Sequence, residues 1–392
     1  MTHRKTNKFL LLFLSCLLQF AGVSAQDDDN ENLSINARTS FYLNQRWGWD
    51  SAYTDRKQNK FYLRNAQLQL RGNAGKDMRF YFGFDIAQII SKGNDPQNPA
   101  LMNASIAYKG LKAFDLLIGF DKICYSRNNQ VSFFDSPFWQ RSEIVGGALF
   151  SRRDLGITLH KDFLNKRLSL WGAMYSGLGE AILLGYNAPS GKYEYVARAE
   201  YSWPVAVKYK ELDETGMVLP VISAAINGRY SDKSLPVGQN FASGTTGDFG
   251  NKVINGEKYT YGADVNMMWE GFSVQAEIHQ LRMQLRDSSD ALLNGLPNRI
   301  TKRNDFAGGF FVQGNYFHKK WKTGLSVRYE ELNYNDLVAG YFARWGVAAC
   351  WKPKGTKVML KAQYFYNLQE ETAIDNLNHK EQLRIGMQIN LK

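Results

Sequence analysis

The chain has 392 residues, of which 44% are hydrophobic and 22% charged, with a formal net charge of +11. A mean hydropathy of −0.39 excludes a bundle of apolar spanning helices, and three cysteines are too few for a disulfide scaffold. The basic residues are spread along the whole chain with no Lys/Arg-rich block, which excludes nucleic acid as a natural partner.

The amino end carries Arg4, Lys5 and Lys8 and no acid before an apolar run from Phe9 to Val23. Val23-Ser24-Ala25 then has the small-residue spacing of a cleavage site. This pattern predicts a secretory signal peptide over residues 1–25, because the run is too short and too cleanly terminated for a membrane anchor. A short acidic leader over 26–33 follows, and then one domain, 34–392. No later stretch approaches the roughly 18 to 20 apolar residues of a spanning helix.

The stretch KFYLRNAQLQLRGN, residues 60–73, alternates with period two: Ala66, Leu68 and Leu70 on one side, Asn65, Gln67, Gln69 and Arg71 on the other. Such a strand suits either a soluble sandwich or a membrane barrel, whose apolar side meets lipid and whose polar side lines the interior. The alternation recurs, predicting strands near 34–46, 60–72, 77–89, 100–110, 113–121, 153–162, 167–177, 192–203, 221–231, 258–269, 271–282, 305–317, 321–332, 342–352, 356–367 and 380–391. Most have the roughly 9 to 11 residues that a tilted strand needs to cross a bilayer, against about 5 or 6 in soluble sheets. Short and long connections alternate, as in outer-membrane barrels. The exception is 204–220, long where a turn is expected, which leaves open an extra short hairpin or a different register. Aromatic residues such as Phe41, Tyr108, Tyr193, Tyr201, Tyr259, Trp269, Tyr316, Trp321, Trp345, Trp351 and Tyr366 gather near strand ends on the apolar side, as interfacial girdles do. The closing strand EQLRIGMQINLK suits pairing with the first strand, which removes both edges. The expected fold is an all-β transmembrane antiparallel barrel of about sixteen strands.

Projecting the polar side inward places Arg38, Arg71, Arg79, Arg198, Arg229, Arg328, Arg344 and Lys361 on the lumen wall, with Lys109, Lys258 and Arg384. Asp85, Asp115, Asp121, Glu194, Glu200, Asp264, Glu277 and Glu330 share that face, so cross-strand ion pairs are an alternative role for any one cation. The longest connection, 122–153, carries Lys122, Arg127, Arg141, Arg152 and Arg153 against Asp135 and Glu143. Its Phe133, Phe134, Phe138 and Trp139 are too apolar for a free external loop, so the segment should pack. Packed in the barrel mouth it would narrow the path with guanidinium groups, which suit anions and phosphate; packed on the rim it would be a cap. No metal-binding or catalytic constellation and no cofactor motif is present, which speaks against an enzyme. The pairing of Cys124 with Cys350 stays open.

The segments SRRDLGITLHKDFLNKRLSLWGAMYSGLGE (151–180), YVARAEYSWP (195–204) and VISAAINGRYSD (221–232) resemble the phosphate-selective porins O and P, in their Bacteroidetes-type form. Arg153-Asp154-Leu155-Gly156, Tyr175-Ser176-Gly177 and Arg198 through Pro204 carry the likeness, together with GLSVRYEELNYND (324–336) and LRIGMQINL (383–391). The resemblance implies a sixteen-stranded, trimeric outer-membrane porin with a basic constriction loop after the fifth strand. It implies passive diffusion of small anions such as phosphate, with outer-membrane lipid around the barrel. The lumenal acids depart from a strongly anion-selective lining. A general porin and a plugged structural or receptor barrel are the alternatives.

Overall fold

The computed structural model describes residues 33–48, 59–90, 100–179, 192–207, 209–234, 256–285, 304–333, 341–368 and 379–391. The expected signal peptide and all of the acidic leader but Leu33 lie outside them. The strands are β1 (Ser34–Trp47), β2 (Lys60–Ala74), β3 (Met78–Asp85), β4 (Leu101–Tyr108), β5 (Asp115–Lys122), β6 (Arg153–Phe163), β7 (Leu168–Tyr175) and β8 (Glu194–Trp203). They continue with β9 (Val221–Lys233), β10 (Gly256–Trp269), β11 (Phe272–Leu285), β12 (Asn304–His318), β13 (Thr323–Asn333), β14 (Phe342–Trp351), β15 (Val358–Asn367) and β16 (Glu381–Leu391). Each pairs antiparallel with its chain neighbours, and β1 closes on β16 from Ala37↔Leu391 to Trp47↔Glu381. The result is a closed barrel with no free edge.

The polarity is the reverse of a soluble protein's. On β9, Ile226 is 68% exposed while Arg229 on the opposite side is 4% exposed. The same contrast separates Leu325 and Val327 from Arg328 on β13 and Ile278 from Glu277 on β11. An apolar band of this extent is stable only in lipid. Trp203, Trp269, Phe272, Trp321 and Trp351 stand exposed at the short-turn ends. At the other end Tyr195, Tyr230 and Tyr259 form one cross-strand row, with the Tyr230 and Tyr259 rings 4.9 Å apart. These are the two aromatic girdles expected of a membrane barrel.

Three local departures position the interior. Strand β3 ends at Asp85 rather than running to 89, and a short helix takes Ile86–Ile90. The Asp85 carboxylate explains the stop: it accepts from Ala66 N at 2.9 Å and from Ala87 N at 3.2 Å, drawing the chain out of the strand. Ser40 pairs with Asn65 and Phe41 with Leu63, so Arg64 is the extra residue of a bulge, and Arg64 and Asn65 are both buried. Segment 204–220 contains no strand among its described residues and leaves the β8–β9 register intact. It folds back so that Glu211, Leu212 and Asp213 are each no more than 2% exposed. Asp213 holds the fold-back by accepting from Gly216 N and Gly271 N at 2.9 Å and Met217 N at 2.8 Å. Gly271 belongs to the two-residue β10–β11 turn, whose central φ values of 48° and 88° are those of a tight hairpin.

Candidate pore constriction

The connection between β5 and β6 begins and ends at one place, since Ile123 N donates to Arg152 O at 2.9 Å. Inside it Ser126 caps one helical turn (Arg127–Gln130), its Oγ accepting from Asn129 N at 3.2 Å. Phe133, Phe134, Phe138 and Trp139 are at most 5% exposed, so the apolar content is packed as the sequence requires. Cations brace the loop from within. Arg141 donates to Val131 O at 2.8 Å and Asn128 O at 3.1 Å, and Lys122 Nζ to Gln130 O at 2.8 Å. Arg152 Nε meets Asn129 Oδ1 at 3.2 Å. Burial first, then neighbouring Arg152 and Arg153, pushes the Arg141 guanidinium well below its ordinary range.

The loop engages inward side chains around most of the barrel. Ser126 Oγ donates to Glu277 on β11 at 2.6 Å, and Ser126 N to Asn227 on β9 at 3.2 Å. Trp139 N donates to Gln363 on β15 at 2.7 Å, and Glu143 N to Glu330 on β13 at 2.7 Å. Arg328 Nη1 reaches Gln140 O at 3.1 Å, Lys361 Nζ reaches Phe133 O at 3.3 Å, and Gln388 Nε2 on β16 reaches Phe134 O at 2.5 Å. The Trp139 ring lies 5.2 Å from that of Tyr42 on β1, and Arg64 on β2 stands 4.9 Å over Phe133.

The expected site residues separate into four groups. Arg198, Arg229, Arg344 and Arg127 have carboxylate partners. Arg198 bonds Asp264 and Glu200 at 2.5 Å, Arg229 bonds Glu194 at 2.8 Å, and Arg344 bonds Glu330 at 2.6 Å. Arg127 lies 3.7 Å from Glu200. Arg38, Lys122, Arg141, Arg328 and Lys361 form a second group, to which Arg384 belongs. Their described hydrogen bonds go to neutral acceptors, Gln313 and Gln140 for Arg328, Asn390 for Arg38, and Asn44 and Gln140 for Arg384. Arg71 and Arg79 form the third, exposed at the short-turn mouth, with Arg71 4.6 Å over Tyr81. Arg152 and Arg153 are buried where the loop rejoins the wall. Lys122 and Arg141, both constriction candidates, donate to the loop's own carbonyls.

Asp154 supplies a physical reason for the Arg-Asp-x-Gly and Tyr-Ser-Gly segments. Its carboxylate accepts from Ser176 Oγ and, at 2.7 Å, from Gly177 N, whose φ of 75° favours glycine. Pattern reading missed Arg64, His279 and Glu211. His279 receives Tyr125 Oη from the loop at 3.0 Å and faces Glu277 at 2.9 Å. Cys124 and Cys350 are both buried and free. Among the described residues no group of His, Cys, Asp and Glu is arranged to hold a metal.

A closed barrel with sixteen strands, an apolar exterior and a polar interior is an outer-membrane porin barrel. The family model for phosphate-selective porin O and P matches residues 41–391, and the chain belongs to that family. Solved porins share the fold. An anion-selective porin from Comamonas acidovorans superposes with a TM-score of 0.59 at 7% identity, over 92% of this chain and 100% of that one. OmpT of Vibrio cholerae in its trimer form gives 0.56 at 10% identity, over 92% and 100%. Salmonella typhi OmpF, solved with daunomycin, gives 0.56 at 12% identity, over 93% and 99%. No curated protein sequence matches the chain.

Proposed function

We propose that the chain is a passive, anion-preferring pore of the outer membrane, with phosphate-type anions among its solutes, narrowed by residues 122–153 folded into the lumen. The observation that carries this is the charge division around the loop. Arg198, Arg229 and Arg344 are compensated by carboxylates, whereas Arg38, Arg328, Lys361 and Arg384 are hydrogen-bonded to neutral oxygens. No carboxylate bonds them directly, so they add net positive charge to the interior, which favours anions. A lumenal rather than rim position is supported by partners such as Lys361 and Gln388, which lie well inside their strands. Arg152 and Arg153 add positive charge where the loop rejoins the wall, and Arg71 and Arg79 mark the short-turn mouth of the pore.

Three copies in the membrane are the proposed assembly, since the similar OmpT of Vibrio cholerae is a trimer form. Residues 1–25 are proposed to direct export and to be removed. Purified protein in a planar bilayer under a KCl gradient should show a reversal potential of the sign set by chloride. Added phosphate should reduce the chloride current by competing for the same cations. Cation preference would refute the anion reading, and no current at all would favour a plugged barrel.

A further inference from the structure

The fold-back at 204–220 enters from the short-turn end, yet it touches the β5–β6 loop. Glu211 Oε1 accepts from Asn128 Nδ2 at 3.1 Å. Its Oε2 accepts from Ser136 Oγ at 2.7 Å and from Gln313 Nε2 on β12 at 2.8 Å. One buried carboxylate therefore joins two points of the loop to the wall. The backbone of Glu211 is itself fixed, its carbonyl accepting from Asn315 Nδ2 at 3.1 Å and from Ser273 Oγ at 2.5 Å. Next to it Leu212 packs with Phe317, Cys350 and Met359. A second contact runs parallel: the Arg127 guanidinium lies 5.1 Å over the Tyr209 ring, and Tyr209 Oη donates to Glu200 at 2.7 Å.

We propose that Glu211 is a positioning residue for the pore, a latch by which segment 204–220 sets the place of the constriction loop. The chemistry suits the task. A carboxylate is an acceptor only, and its four lone-pair sites match the three donors that converge on it. Asn128 lies in the helical turn and Ser136 directly follows the turn that holds the first aromatic pair, so holding both fixes where Phe133 and Phe134 sit. The latch rests on the reading that residues 122–153 line the conduction path, and its own test does not need a current.

The experiment is hydrogen–deuterium exchange of the full chain in detergent, comparing the wild type with Glu211→Ala and with the double variant Asn128→Ala and Ser136→Ala. The double variant keeps the Glu211 charge and cuts the latch; because Ser136 Oγ also accepts from Phe138 N at 3.2 Å, the Phe138 amide is left out of the comparison. Amides between 126 and 138 should exchange about tenfold faster or more in both variants, as expected when charge-assisted hydrogen bonds holding a loop are lost. Glu211→Asp should recover part of the protection. In bilayers the same variants should show added open-channel current fluctuation. Unchanged exchange in the double variant would overturn the latch. Faster exchange with a wild type that carries no current would refute the pore reading and leave the latch standing.

Discussion

Replacing Arg198 by methionine is expected to lower the stability of the barrel by about 3–5 kcal/mol, the usual cost of leaving buried charges without their partner. Arg198 is 3% exposed and faces two carboxylates, Asp264 and Glu200, themselves 5% and 6% exposed. It bonds both oxygens of Asp264, at 2.5 and 3.0 Å, and Asn227 at 2.5 Å. Methionine fills much of the volume but supplies no donor, so Asp264 loses its bidentate partner and Glu200 keeps only Arg127, 3.7 Å away, and the Tyr209 hydroxyl. Arg198→Lys should recover only part of the loss, because an ammonium cannot make the bidentate contact. Urea unfolding in lipid vesicles, followed by tryptophan fluorescence, measures the difference. A loss below about 1 kcal/mol would mean that lumenal water solvates the carboxylates as it does at a protein surface.

Reversing charge at the short-turn mouth should have the largest effect on selectivity with little effect on folding. Arg38 is half-buried over the Phe134 ring at 5.1 Å, and Arg71 is exposed over Tyr81. Neither has a carboxylate among its described hydrogen-bond or ion-pair partners. Arg38→Glu with Arg71→Glu changes the local charge by four units. The chloride-to-potassium permeability ratio should fall by about tenfold at low salt, since clefts lined by one sign of charge concentrate counter-ions by at least that factor. The effect should shrink as salt rises, because the Debye length shortens to about 3 Å at 1 M. An unchanged ratio would place the path away from these residues.

Period two made the barrel legible. The alternation in β2, β9 and β13 gave both the strands and their lipid face, because a one-residue slip would turn every side chain over. The aromatics of 133–139 announced a packed loop for the same reason, the cost of leaving large rings in water. Bulges are invisible to that reasoning. Arg64 falls on the outward side by strict alternation, but the extra residue opposite Ser40 and Phe41 carries it inside. Glu211 was hidden differently, since a polar segment such as KELDETG reads as a solvated turn until its donors, Ser136 and Gln313, are brought to it from distant parts of the chain. The carbonyl partners of Lys122 and Arg141 were likewise unreadable, because a cation's sequence position does not name the acceptors it meets.

Single-channel conductance of a loop-replacement variant probes the constriction most directly. Ile123 and Arg152 already meet through a 2.9 Å backbone hydrogen bond, so a short Gly–Ser linker can replace residues 127–150 without straining the barrel. The conductance should rise several-fold over that of the full chain. Equal conductance in the two proteins would show that the segment does not obstruct the path, and the constriction would have to be sought elsewhere.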